Sequence, residues 1–213
     1  MRRILSALAC LLIAAAVLVS WGGMALAVTD NGRLSAPGLW SLKYFTVLSN
    51  LLCAASSLLW ALWRLLRRGE PPRWLCLLKL AGVASVALTL LTVLIFLGPL
   101  YGYRDMFSGV NFWLHLLVPA AALLEYLLLS GVPAPTLRGS LAAILPVGLY
   151  GTVYLLNILL HGLGDEPFAR DIYGFCQWGL PVGGLIFLAL VALTWGMALL
   201  LRAARLRMQK HRL

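Results

Sequence analysis

Thr46, Asn50, Cys53 and Ser57 follow one another at intervals of four, three and four inside an apolar stretch, so on a helix they form one polar stripe. Three further stripes have the same period. Asn111 and His115 make one, Tyr150, Tyr154, Asn157 and His161 a second, and Ser85, Thr89 and Thr92 a third. A hydroxyl beside an imidazole is the minimal unit of nucleophilic acyl transfer, because an alcohol attacks poorly until a base within hydrogen-bond reach takes its proton. Thr46 and His115 are the candidates for that pair. Side-chain amides such as Asn50 or Asn157 can donate to a developing oxyanion, and Asn111, Tyr154 and His161 complete the set that can line a substrate site. Each residue also has a packing reading. Thr46 can bond its own i−4 carbonyl, His115 can be tied to Asn111 or a carbonyl, Asn157 can join helices, and His161 can simply be wet.

What must position these residues is read from the charges. Hydrophobic residues make up 62% of the 213 and charged residues 11%, with a mean hydropathy of +0.93. That balance excludes a water-soluble domain. Six stretches are long enough for the roughly 20 apolar residues that cross a bilayer core, and each is expected to be one helix, since strands with open edges cannot satisfy their backbone there. The expected fold is therefore an all-α integral membrane bundle of six transmembrane helices in one domain spanning 1–213. The helices are placed near 4–28, 42–64, 75–99, 109–130, 139–162 and 177–201.

Basic residues collect on the cytoplasmic side of short loops. With Arg2 and Arg3 inside, the same side receives Arg64, Arg67, Arg68, Arg73, Lys79, Arg138, Arg202, Arg205, Arg207, Lys210 and Arg212, which is 13 of the 17 Lys and Arg. Arg33, Lys43, Arg104 and Arg170 remain outside, with Asp30, Asp105, Asp165, Glu166 and Asp171. Both termini are expected in the cytoplasm, in a multi-pass protein of the cell membrane. The net charge of +10 is then topology and attraction to anionic lipids, not a nucleic-acid surface. Met1-Arg2-Arg3 before an apolar run ending in Ala25-Leu26-Ala27 imitates a secretory signal, but the run is long enough to span and is read as the first helix. Cys10, Cys53, Cys76 and Cys176 form no disulfide framework.

In this topology Thr46, His115, Asn157 and His161 all lie within one to two turns of the outer boundary, on the order of 5–10 Å below it. Glu125 is roughly 15 Å below His115 along the same helix, too far to complete a triad; it is read as paired internally or reaching the cytoplasmic headgroups. Trp21, Trp40, Trp113 and Trp178 suit an outer aromatic belt, and Trp60, Trp63 and Trp74 an inner one. Pro119 and Pro146 are expected to kink the fourth and fifth helices. Outer segments 29–40 and 162–177 have room for a lid. No glycine-rich phosphate loop implies an organic cofactor.

Two segments carry a specific resemblance. Lys43-Tyr44-Phe45-Thr46-Val47-Leu48-Ser49-Asn50 resembles the Lys-Tyr-hydrophobic-Thr-Phe motif of the androgen-induced / androgen-dependent TFPI-regulating protein family of multispanning lipid hydrolases. Asn111-Phe112-Trp113-Leu114-His115-Leu116-Leu117-Val118-Pro119 resembles its second motif, Asn and His four apart followed by Pro. Bacterial membrane proteins with Thr-x-x-Ser-Asn in helix two and His-x-x-x-Pro in helix four are similar as well. The resemblance implies hydrolysis of fatty acid esters of hydroxy fatty acids, with Thr46 as nucleophile and His115 as base. The expected partners are then a lipid or fatty-acid ester substrate and the surrounding membrane lipids. Two other readings use the same residues: a non-catalytic lipid carrier, and a metal hydrolase built on His115, His161 and Asp165 or Asp171, since two His and a carboxylate suffice for zinc.

Overall fold

The computed structural model describes residues 1–26, 36, 38–67, 69–164 and 170–210, and among these there is no strand. Six helices are long and apolar enough to cross a membrane: α1 Arg2–Ala25, α2 Phe45–Leu66, α3 Arg73–Tyr101, α4 Gly109–Leu129, α5 Leu137–His161 and α6 Leu180–Lys210. They alternate in direction, so one end of the bundle carries the start of α2 and the end of α5, and the other carries most of the arginines. A short 3-10 turn, Gly38–Lys43, leads into α2.

Pro119 and Pro146 each shape their span. Pro119 has no N–H to give to the carbonyl of His115, four residues earlier. The chain there widens into a π turn over Trp113–Leu117, closed by Val118 N–H on the Trp113 carbonyl. Such turns recur at functional sites, and this one contains His115. In α5 a 3-10 segment, Leu141–Ile144, precedes Pro146, which lies in the first turn of the regular helix Leu145–His161.

Two cores fill the bundle. At the arginine-rich end, small residues let helices approach closely: Ala7, Cys10 and Ala14 of α1, Cys53 and Ala61 of α2, Ala84 of α3, Ala122 of α4 and Ala198 of α6 are all buried in one cluster. Gly82 marks a close approach of α3 to α2, since a Cβ there would lie 2.6 Å from Ser56 Oγ and 3.1 Å from Cys53 Cα. The other core is aromatic, with Tyr44, Tyr154, Tyr173, Phe175 and Phe187 around Met106 and Leu114.

Several residues depart from their expected places. Trp60 is fully buried rather than in the inner belt, because the small residues of its cluster leave room for the indole and Arg64 covers its ring at 5.9 Å. Lys79, counted among the cations of the basic end, is also fully buried, 3.0 Å from Glu125 Oε2. Glu125 is thus paired internally. Its Oε1 accepts from Ser6 Oγ at 2.7 Å, while Lys79 donates to Ser57 Oγ at 2.9 Å and to Cys10 Sγ at 3.2 Å. One polar knot therefore ties α1, α2, α3 and α4. The sixth helix was expected to end near 201 but runs to Lys210, because its arginines grip backbone carbonyls of the last turn of α4 and of the α4–α5 connection. Arg202 donates to Pro135 O at 3.0 Å, and Arg205 to Leu127 O at 3.1 Å and Val132 O at 2.8 Å. All four cysteines are free.

Candidate active site

Thr46 occupies the first turn of α2, where backbone N–H groups lack helical partners and the helix dipole is positive. Its Oγ1 lies 3.4 Å from Nε2 of His115, at the outer edge of hydrogen-bond range. The other ring nitrogen settles the tautomer. Nδ1 lies 2.8 Å from the Met106 carbonyl, which can only accept, so Nδ1 carries the proton and Nε2 presents its lone pair to the Thr46 hydroxyl. His115 is buried and Thr46 partly so.

Asn50 holds the two partners together. Its Nδ2 donates to Thr46 O at 2.8 Å and to Leu114 O at 3.0 Å, bridging the Thr46 turn of α2 to the His115 turn of α4. Both amide hydrogens are therefore spent on carbonyls, and the remaining buried Oδ1 is an acceptor. Ser49 adds a second strut, donating to Thr46 O at 3.0 Å and meeting Thr89 Oγ1 of α3 at 2.9 Å. Asn111 is buried on the His115 face of α4 and is engaged there.

Thr46 lines one of two neighbouring cavities. A small one of about 40 Å³ is lined by Thr46, Thr89, Thr92, Tyr150 and Tyr173, with Phe187 among its apolar walls; it admits water but not a lipid. A large groove of about 1040 Å³ lies beside it between α2 and α5. Its walls are Leu48, Leu52, Leu149 and Val153, and Lys43, Arg170 and Asn157 are polar members of its lining. Phe45 and Tyr150 line both spaces, with ring centroids 5.2 Å apart. Tyr150 is held by donating to the Lys43 carbonyl at 2.8 Å.

The stripe on α5 is divided. Asn157 and His161 are exposed, and His161 Nδ1 bonds the Asn157 carbonyl at 3.1 Å, so neither joins the Thr46–His115 pair. Tyr154 is buried, and its hydroxyl donates to Asp171 Oδ1 at 2.6 Å. Asp171 Oδ2 accepts the Cys176 N–H at 2.8 Å, so this carboxylate is committed to shaping the loop before α6. Among the described residues no group of three or more His, Cys, Asp or Glu converges as a metal site. Asp165 of the metal reading, and most of the 29–40 and part of the 162–177 segments, lie outside the described residues.

Tyr173 belongs to the site and was not singled out by sequence reasoning. Its hydroxyl accepts the Phe45 N–H at 2.8 Å, with the Thr46 N–H as a weaker neighbour. Its ring stacks on Phe175 at 5.2 Å, and Gly174 between them adopts a φ of +69° that a side chain would disfavour. A tyrosine in an aperiodic loop leaves no pattern to read; the neighbouring Asp171 and Gly174 were the available signals.

Comparison with family models, with curated proteins and with solved structures returns no match for this chain.

Proposed function

We propose that this chain is a membrane-embedded hydrolase of lipid esters, using Thr46 as nucleophile and His115 as general base, and that it is a relative of the threonine lipid hydrolases its two motifs resemble. The observation that carries this reading is the 3.4 Å approach of Thr46 Oγ1 to an Nε2 whose partner nitrogen, Nδ1, donates its proton to the Met106 carbonyl. In the first half-reaction Thr46 Oγ attacks the ester carbonyl carbon while its proton passes to His115 Nε2. The tetrahedral adduct collapses, the bond to the alkoxy oxygen breaks, and that oxygen takes the proton from Nε2 as the alcohol leaves. Water then attacks the acyl-threonine by the same route and releases the acid.

The six apolar helices support a multi-pass membrane protein. Its orientation follows from the arginine-rich end, which we place in the cytoplasm of a cell membrane, with the site near the opposite face. The apolar groove supports a lipid substrate that arrives sideways, since each methylene gains about 0.8 kcal/mol on burial in the bilayer. Lys43 and Arg170, two of the four cations placed outside, both line this groove. They suit a substrate with a free carboxylate, as esters of hydroxy fatty acids have. Neither an organic cofactor nor a nucleic acid enters this scheme.

One observation favours a second reading. The groove is large and open, whereas Thr46 faces a cavity of about 40 Å³ behind Phe45 and Tyr150, which is what a lipid carrier with a buried structural threonine requires. A fluorophosphonate probe decides between them. The hydrolase covalently labels at Thr46, and Thr46→Ala abolishes labelling; the carrier binds lipid reversibly and never labels.

A further inference from the structure

Acyl transfer to Thr46 puts a negative charge on the former carbonyl oxygen, and the expected amide donors do not meet it. Asn50 has both hydrogens committed to the carbonyls of Thr46 and Leu114. Asn157 lines the groove and not the Thr46 cavity. Tyr173 lines that cavity with Thr46. Its oxygen already accepts the Phe45 N–H, which leaves its own proton to be donated. The neighbouring Tyr150, whose ring centroid is 6.5 Å away, gives its own proton to the Lys43 carbonyl.

From this arrangement we infer that the Tyr173 hydroxyl is the oxyanion donor of the site. The assignment rests on the acyl-transfer reading of Thr46. As Thr46 Oγ bonds the carbonyl carbon, the carbonyl π electrons move onto oxygen, and that oxygen receives a hydrogen bond from Tyr173 Oη. No proton is transferred; the bond is released when the carbonyl re-forms and the alcohol leaves. The phenol is suited to this by its position at the positive end of α2, because a hydroxyl that accepts a backbone N–H is polarised into a better donor. Burial pushes its pKa up to about 12, so it stays protonated at any pH at which His115 acts as base. The loop that delivers it is pinned by Asp171, which accepts from Tyr154 Oη and Cys176 N.

The test uses the full-length protein in nanodiscs, with a long-chain p-nitrophenyl ester and a fluorophosphonate, whose phosphonyl oxygen needs the same donor. Tyr173→Phe is expected to lower kcat and the labelling rate by about 10²–10³-fold. KM and the affinity for a non-hydrolysable ether analogue of the substrate stay within about threefold. Replacing Tyr173 by 3,5-difluorotyrosine keeps its size and hydroxyl while making the phenol more acidic. The alkaline limb of kcat should then move to lower pH, which a merely structural tyrosine would not cause. Wild-type labelling at Thr46 that Tyr173→Phe leaves unchanged overturns the assignment, as does a difluorotyrosine protein with an unmoved pH profile. A wild-type protein that never labels at Thr46 instead overturns the acyl-transfer reading itself.

Discussion

His115 donates its Nδ1 proton to the main-chain carbonyl of Met106 at 2.8 Å, a residue nine positions earlier that folds back over the imidazole from the short helix Tyr103–Met106. In the proposed acyl-transfer site, the role a carboxylate plays in many triads would thus fall to the backbone. Thr46→Ala and His115→Ala should each lower hydrolysis by orders of magnitude, and the double variant should be hardly worse than either, since the groups share one chemical step. Met106→Leu should retain activity within a few-fold, because the carbonyl is unchanged and volume-conserving core swaps cost under about 1.5 kcal/mol. Steady-state kinetics on the four purified proteins checks both statements.

Asn50→Leu removes the bridge between the turns of Thr46 and Leu114. A buried carbonyl left without its partner costs about 1–3 kcal/mol, so the thermal midpoint in detergent should fall. Fluorophosphonate labelling should fall further than that loss of folded protein explains, because Thr46 and His115 are no longer held in register.

The pair of Lys79 and Glu125 lies in the arginine-rich half, apart from the site. Lys79→Met strands a buried carboxylate and should destabilise the bundle by about 3–5 kcal/mol, whereas Lys79→Met with Glu125→Leu should recover most of that loss. Thermal unfolding of the single and double variants, with unaltered KM in whatever folds, is the measurement.

Filling the groove should separate binding from chemistry. Leu52→Trp and Val153→Trp intrude on the space between α2 and α5 and should raise KM for long-chain esters about tenfold or more while short-chain esters are turned over normally. Lys43→Ala combined with Arg170→Ala should raise KM for carboxylate-bearing esters selectively, by on the order of tenfold, given one charge-assisted bond at about 1.5–3 kcal/mol.

Orientation is checked by cysteine labelling in a background lacking the native thiols. Asn157→Cys should react with a membrane-impermeant maleimide added to intact cells, and a cysteine at Lys210 should react only after permeabilisation. The opposite pattern would place the site on the cytoplasmic side.

The six apolar stretches could be located from the sequence because the bilayer imposes a length and excludes charge, and both constraints are local. The polar stripes were legible for a related reason. A helix brings residues three and four apart to one face, so Thr46 with Asn50, and Asn111 with His115, were paired by spacing before any tertiary contact was considered. Periodicity, however, states which face is polar and not what it meets. The tertiary structure decided that Asn50 spends its amide on two carbonyls, that Asn157 faces a groove and His161 stays exposed instead of joining the Thr46–His115 pair, and that Lys79 turns inward to Glu125. It also decided the tautomer of His115 and delivered Tyr173 to the head of α2, through contacts between Met106 and His115 and between Phe45 and Tyr173. Main-chain acceptors and aperiodic loops leave no signature in residue type, because every residue has a carbonyl and a loop has no repeat. Which of them reaches a given side chain is settled only when the helices pack.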